Sequence, residues 1–279
     1  MDVEPVIVQT SGDRRTDVPL WEIGGQGVFV KEVETALLEG RADIAVHSAK
    51  DLPSHTEAGL VLAAVPERED PRDVLVGSTF EGLPVGARVG TGSVRRRAQL
   101  AWWRPDLTFA GLRGNIETRL SKASQYHAIV VAAAALRRLG RSEAIAELLD
   151  PRWMVPQVGQ GALAVECRDD DIATRDLLAA IEDHDARTAV DAERAWLAAV
   201  GGGCDLPVAA HAIVRDGEIH LTAMLASTDG RVLLRADDTG VDPEALGNRL
   251  AQRLLEDAGG RDLVGVLRLT EHETEPETS

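Results

Sequence analysis

Three places in this chain join reactive residue types to short, structured spacings. The largest is a run of arginines. The 279 residues carry a formal charge of −16, with 46 Asp and Glu against 30 Lys and Arg. Yet Arg88 to Arg141 holds ten Arg and one Lys, opposed only by Asp106 and Glu117. Its core reads Gly90-Thr91-Gly92-Ser93-Val94-Arg95-Arg96-Arg97, then Leu112-Arg113-Gly114-Asn115-Ile116-Glu117-Thr118-Arg119. Charge segregated on this scale points to an anionic ligand rather than a solubility device. The acidic total, and the lack of aromatic residues interleaved with these motifs, argue against a nucleic acid. Three cations in the first turn of a helix oppose its dipole. An anion held by the Thr91-Gly92-Ser93 N–H groups and the guanidinium forks removes that conflict; a solvated basic turn is the plain alternative.

The second place is Lys50-Asp51, in Ser48-Ala49-Lys50-Asp51 after the short strand Asp43 to His47. It reads either as a surface ion pair of little consequence or as a carboxylate placed for chemistry. The third is Cys204, inside Gly201-Gly202-Gly203-Cys204-Asp205-Leu206-Pro207. A small residue in a glycine turn is the bland reading; an accessible thiol suited to covalent attachment is the sharper one. Cys167 lies in an apolar strand and reads as core. The histidines show no ligand spacing with the cysteines, so no metal site is indicated. Gly24-Gly25-Gln26-Gly27 lacks the features of a P-loop or dinucleotide fingerprint and reads as a flexible loop.

Strands and helices must position these groups. Helical periodicity covers Val28 to Leu38, with Gly40 as its stop. Short buried strands are predicted at Asp43–His47 and Leu60–Val65. After the polar crossing Glu67-Arg68-Glu69-Asp70-Pro71, strands at Asp73–Val76, Ala87–Gly90, Leu107–Leu112 and Ala128–Ala132 alternate with helices, which implies a largely parallel sheet. Lys50-Asp51, Thr91-Gly92-Ser93 and Arg113-Gly114-Asn115 each follow a strand, where ligands of open α/β sheets bind. A second crossing at Pro156–Gly161 precedes a strand at Leu163–Cys167. A helix from about Arg187 to Val200 then leads to strands at Val208–Val214, Glu218–Ala226 and Arg231–Ala236. Asp-Gly turns join these strands, and a helix over Pro243–Leu255 follows.

Length sets an expectation of two or three domains. No apolar run approaches the ~20 residues of a membrane span. Met1-Asp2-Val3-Glu4-Pro5 has no signal-peptide pattern, and two cysteines make no disulfide framework, so a cytoplasmic protein is expected. Glu271 to Ser279 reads as an acidic tail.

Taken in order, these segments resemble the hydroxymethylbilane synthase (porphobilinogen deaminase) family, from near Val3 to about Leu267. The likeness rests on Gly27-Val28-Phe29-Val30-Lys31-Glu32, Ala42-Asp43-Ile44-Ala45-Val46-His47-Ser48-Ala49-Lys50-Asp51-Leu52-Pro53 and Arg68-Glu69-Asp70-Pro71-Arg72-Asp73. It continues through both arginine motifs, Pro156-Gln157-Val158-Gly159-Gln160-Gly161-Ala162, Ala192-Glu193-Arg194-Ala195 and Gly202-Gly203-Cys204 with Pro207. The resemblance implies a transferase joining four porphobilinogen units head to tail with loss of ammonia, on a dipyrromethane cofactor bound through a thioether. Cys204 matches the attachment cysteine and Asp51 the catalytic aspartate. Lys50, Thr91, Ser93, Arg95, Arg96 and Arg113 match cofactor contacts. Arg119, Arg138, Gln160 and Phe29 match positions that bind substrate or line the cleft.

The family begins with a further strand and helix carrying Ala-Ser/Thr-Arg-x-Ser-x-Leu-Ala, and this sequence starts at about the family's second strand. A native start upstream of Met1 is the expectation; a truncated, inactive homologue is the alternative. Gln26, Gly92 and Ala135 stand where Lys, Ser and Gly are common. The fold implied is α/β, with two related open-sheet domains around a cleft, periplasmic-binding-protein-like, plus a C-terminal α+β domain. Domain 1 is expected at 1–66 plus 161–182, the arginine-rich domain 2 at 67–160, and domain 3 with the cysteine at 183–270, before the tail at 271–279. A monomer without metal, nucleic acid or membrane partner is expected. The alternative from another class is a non-catalytic, two-domain anion-binding protein.

Overall fold

The computed structural model describes residues 3–8, 30–201 and 206–264. Phe29, the Gly24–Gly27 segment, Cys204 and the acidic tail lie outside the described residues. The first sheet holds β1 (Ala45–Ser48), β2 (Leu60–Ala64) and β8 (Leu163–Arg168), in the order β1-β8-β2. Its strands are short, and β2 buries Leu60, Leu62 and Ala64, while β1 and β8 also bury His47 and Glu166. Helix α1 (Lys31–Leu38) packs Leu37 beside Ala45 and Leu60.

The second sheet runs β5-β4-β6-β3-β7. Its strands are β3 (Asp73–Val76), β4 (Arg88–Gly90), β5 (Thr108–Ala110), β6 (Ala128–Ala132) and β7 (Glu147–Leu148). Helices α2 (Val94–Trp103), α3 (Ile116–Ser121) and α4 (Ala133–Arg138) follow β4, β5 and β6. Every residue of β3 and β6 is buried, which explains their apolar character apart from Asp73 at the start of β3.

The expectation of a largely parallel sheet holds only for β5-β4-β6. Strand β3 runs against both β6 and β7, and β8 runs against both β1 and β2. Connectivity is the reason. Strand β2 leaves for the second sheet and β8 returns from it, so their linked ends share one edge and the strands must oppose. Strand β3 likewise enters its sheet from that edge. The carboxyl ends of β1, β2, β4, β5 and β6 therefore gather at the crossing, together with the amino ends of β3 and β8.

After α5 (Ile172–Leu178), the chain forms α6 (His184–Val200), the antiparallel meander β9 (Val208–Arg215), β10 (Glu218–Ala226), β11 (Leu233–Gly240), and α7 (Pro243–Gln252). Asp216 and Gly217 both have positive φ, 52° and 78°, the two-residue hairpin turn that right-twisted strands favour. Helix α6 begins at His184, earlier than its apolar pattern suggests, because the Asp183 side chain accepts the Ala186 N–H. Trp196, Leu221, Leu225, Leu246 and Leu250 build the core here. Ala186 and Val190 of the same helix belong instead to the core of the first sheet. Helix α6 thus ties the C-terminal α+β unit to the first sheet. No helix among the described residues is long and apolar enough to cross a membrane.

Candidate active site

At the end of β1 the chain tightens into a 3₁₀ turn over Ala49–Asp51. The turn is held from below: Ala49 N–H donates to the Ala162 carbonyl at 3.0 Å, and the Gln157 amide donates to the Lys50 carbonyl at 3.3 Å. Gly159 has φ +69°, and a Cβ there would fall 2.8 Å from the Ala49 carbonyl carbon. Only glycine lets the return crossing approach this closely. The turn delivers Lys50 and Asp51 to the gap between the two sheets.

Both groups are perturbed. Burial pushes the Lys50 ammonium down to about 8, opposed by Asp51 and reinforced by Arg96. Asp51 is open to solvent on one side but is otherwise enclosed by protein. Burial pushes its carboxyl above the ordinary carboxylate value, against the pull of Lys50, Arg119 and His47. The neighbouring cations favour the ionised form, and desolvation outweighs them.

On the second sheet, β4 leads into Thr91-Gly92-Ser93. Thr91 is buried, its hydroxyl accepts the Ser93 N–H at 3.2 Å, and Ser93 caps α2 by accepting the Arg96 N–H. The first turn of α2 then sends Arg95 and Arg96 inward to Asp73, at the buried start of β3. Arg95 donates to both Asp73 oxygens, at 2.6 and 3.2 Å, and to the Val155 carbonyl at 2.7 Å. Arg96 Nε donates to Asp73 Oδ1 at 2.9 Å, while its terminal nitrogens reach the Val130 carbonyl and Gln160 Oε1. Gln160, fully buried, donates in turn to Asp73 and to the Pro71 carbonyl. Burial alone would raise the Asp73 carboxyl; Arg95, Arg96 and the Gln160 hydrogen bond hold it well below the carboxylate range. Arg96 is pushed down to about 10, chiefly by burial. The dipole conflict read from the sequence is thus answered partly inside the protein, by Asp73.

Arg119 comes from α3, which Asn115 caps by accepting the Thr118 N–H. Its Nε donates to the Gly114 carbonyl at 2.8 Å. Burial lowers its guanidinium, Asp51 raises it, and Arg113 lowers it. Arg119 therefore faces Asp51 from the second sheet, with Arg113 alongside. Arg138, at the end of α4, donates to the Gly161 carbonyl at 2.7 Å and sits at the crossing.

The structure brings Lys50, Asp51, Arg95, Arg96, Arg113, Arg119 and Gln160 into one electrostatic neighbourhood, with Thr91 and Ser93 at the start of α2. Arg138 lies beside it at the crossing. Asp73 is the residue that sequence reasoning left without a role. An acid opening the apolar run Asp73-Val74-Leu75-Val76 was the available signal, since a buried carboxylate needs cations. Glu193 is a second such acid. It takes both ends of the Arg68 guanidinium and the N–H groups of Gly159 and Ala212, joining α6 and β9 to the crossing. Among the described residues no three His, Cys, Asp or Glu side chains cluster as a metal site.

Residues 1–176 match the family described as "Porphobilinogen deaminase, dipyromethane cofactor binding domain", and residues 187–256 match "Porphobilinogen deaminase, C-terminal domain". A porphobilinogen deaminase of Syntrophus aciditrophicus (strain SB) is 49% identical over 271 residues, covering 95% of this chain and 88% of the relative. One from Roseiflexus sp. (strain RS-1) is 51% identical over 264 residues, covering 92% and 86%. Among solved structures, an arginine-specific periplasmic binding protein of Salmonella typhimurium shares 20% identity over 57% of this chain and 71% of its own, at a TM-score of 0.32, too low to carry an argument.

Proposed function

The chain belongs to the porphobilinogen deaminase family, and from that premise we propose that Asp51 is the catalytic carboxylate of a cleft lined by Lys50, Thr91, Ser93, Arg95, Arg96, Arg113, Arg119, Arg138 and Gln160, with Phe29 as a further lining residue. The activity is that of a hydroxymethylbilane synthase, a transferase that joins four porphobilinogen units with loss of ammonia. The observation that carries the Asp51 assignment is its position at the carboxyl end of β1, facing Arg119 from the other sheet and flanked by Lys50.

The cofactor is dipyrromethane, and it supplies the primer from which the pyrrole chain is extended. The donor set fits a group bearing several carboxylates: guanidiniums of Arg113 and Arg119, the Lys50 ammonium, and the capped start of α2 with Thr91 and Ser93. Cys204 is proposed as the attachment point. Arg95 and Arg96 are buried behind the start of α2, where Asp73 and Gln160 fix their rotamers, and their proposed contribution to carboxylate binding is through their charge. Loss of ammonia leaves an electron-poor methylene-pyrrole with positive charge on the ring nitrogen. Asp51, as a carboxylate near that N–H, stabilises the charge as it develops and can take up the proton that the attacked ring carbon releases once the new C–C bond has formed.

The division proposed is residues 1–66 with 161–182, residues 67–160, and residues 183–270, supported by the two strand crossings and the separate meander. A monomer acting in the cytoplasm, without nucleic-acid or membrane partners, completes the proposal; the acidic total charge is what disfavours a polyanionic partner. Intact mass spectrometry tests the covalent reading. Protein incubated with porphobilinogen should carry an adduct of two deaminated pyrrole units, absent in Cys204→Ser. An adduct that survives in Cys204→Ser removes Cys204 from its role.

A further inference from the structure

The loop that carries Arg113 is held by side chains that the proposed chemistry leaves unused. Strand β5 ends at Ala110, and Gly111 to Gly114 cross from it towards α3 outside any helix or strand. Backbone carbonyls freed from a ladder need other partners or water. Here every one of them meets protein. Tyr126 Oη donates to the Gly111 carbonyl at 3.1 Å. Lys122 Nζ donates to the Arg113 carbonyl at 3.3 Å, and Arg119 Nε to the Gly114 carbonyl at 2.8 Å. The Leu112 carbonyl lies against Gly92, where a Cβ would come within 2.9 Å of it. Thr91 N–H, donating to the Ala110 carbonyl at 3.0 Å, joins the same two segments. The Leu112 side chain is buried with Ile129 and Val131, and Tyr126 and Leu120 pack against that cluster.

We propose that Lys122 and Tyr126 are positioning residues for the cofactor site: they pin the Gly111–Gly114 loop so that the Arg113 guanidinium is aimed before a carboxylate arrives. The inference rests on the reading of Arg113 as a cofactor contact given above. Both struts are half-buried and stand on fixed bases. Lys122 closes α3, with its own N–H on the Leu120 and Thr118 carbonyls. Tyr126 N–H donates to the Ala123 carbonyl at 3.0 Å, and the Arg88 guanidinium lies over its ring, 5.2 Å from the centre. Arg119 is pinned to the same loop, so the two guanidiniums share one support. A loop fixed in this way loses little freedom when it binds an anion, and that saving appears as affinity.

The test is cofactor loading of the full chain, followed by intact mass as the porphobilinogen concentration is varied. In Lys122→Met the half-saturating concentration should rise roughly three- to tenfold, the range of one lost hydrogen bond, with the limiting rate within about twofold of the unaltered protein. Tyr126→Phe, which changes no charge, should give a smaller rise in the same direction. Lys122→Arg keeps a donor and a charge within reach and should restore the unaltered value. Half-saturating concentrations unchanged in both Lys122→Met and Tyr126→Phe overturn the proposal. So does a loss confined to the limiting rate, which is what a merely structural role gives. In an Arg113→Lys background there is no guanidinium fork to aim, so Lys122→Met should add less than about twofold there. The same factor in both backgrounds makes Lys122 a direct carboxylate contact and overturns its positioning role. If Lys122→Met does not fold, Tyr126→Phe decides alone. Arg113→Met separates the two readings. Normal loading there removes Arg113 as a cofactor contact; impaired loading there, beside normal loading in Lys122→Met and Tyr126→Phe, removes only the present inference.

Discussion

The two walls of the cleft handle charge in opposite ways. On the second sheet, Arg95, Arg96, Gln160 and Asp73 are buried and joined by contacts of 2.6 to 3.3 Å. Asp73 is held far below the carboxylate range and Arg96 stays near 10, so this wall keeps one charge state across any working pH. On the first sheet, Lys50 is pushed down to about 8 and Asp51 is pushed up, both by burial. One wall holds fixed cations whose charge is compensated internally by Asp73. The other offers groups whose protonation can change during a reaction. Under the proposed function, separating the two tasks lets one wall hold its charge while protons move at the other.

The sharpest way to break this contrast is Asp73→Asn. It leaves two buried guanidiniums without a counter-charge, which should cost about 3–5 kcal/mol of stability, read by urea unfolding. Because the folded carboxyl of Asp73 is depressed, its contribution is present above the ordinary value of 3.8 and is lost as pH falls below it. The variant should therefore lose the acid-dependent part of the unfolding curve as well. Wild-type stability in Asp73→Asn would mean that the arginines are held by something else.

A smaller effect should come from Lys50→Met. In the free enzyme the ammonium is lost as pH rises through about 8, so KM for porphobilinogen should climb above that pH. The variant should show a KM raised by roughly tenfold near neutral pH, with the alkaline rise gone. An alkaline rise that persists in Lys50→Met would move its origin to another group.

The smallest effect lies outside both walls, at His211 on β9. Burial lowers its imidazole from 6.5 to about 4, with Glu193 pulling the other way. The unfolded chain takes up a proton first as pH falls, so stability should drop from pH 6.5 toward 4. His211→Asn should flatten that slope without changing the pH profile of kcat.

Much of this arrangement was legible in the sequence because it is local. Asp51 after β1, Ser93 before α2 and Asn115 before α3 follow from short apolar runs ending in polar caps. Strand edges were less legible. Leu233–Gly240 replaces Arg231–Ala236 because β11 takes its register from β10, with Ala226 opposite Leu233, and no local pattern records that pairing. The direction of β3 and β8 was hidden for the same reason. So was the Asp73 network, whose members at 73, 95, 96 and 160 meet only once the crossing has formed. The balance at Asp51 was hidden as well: sequence shows its cationic neighbours but not that desolvation outweighs them.

The central claim is that Asp51 acts on charge developing in the transition state rather than on binding. Steady-state turnover of cofactor-loaded Asp51→Asn, confirmed by intact mass, tests it most directly. The account predicts kcat reduced by about 10²–10³-fold, with KM for porphobilinogen within a few-fold of the unaltered enzyme. Unchanged kcat, or a loss carried entirely by KM, would contradict it.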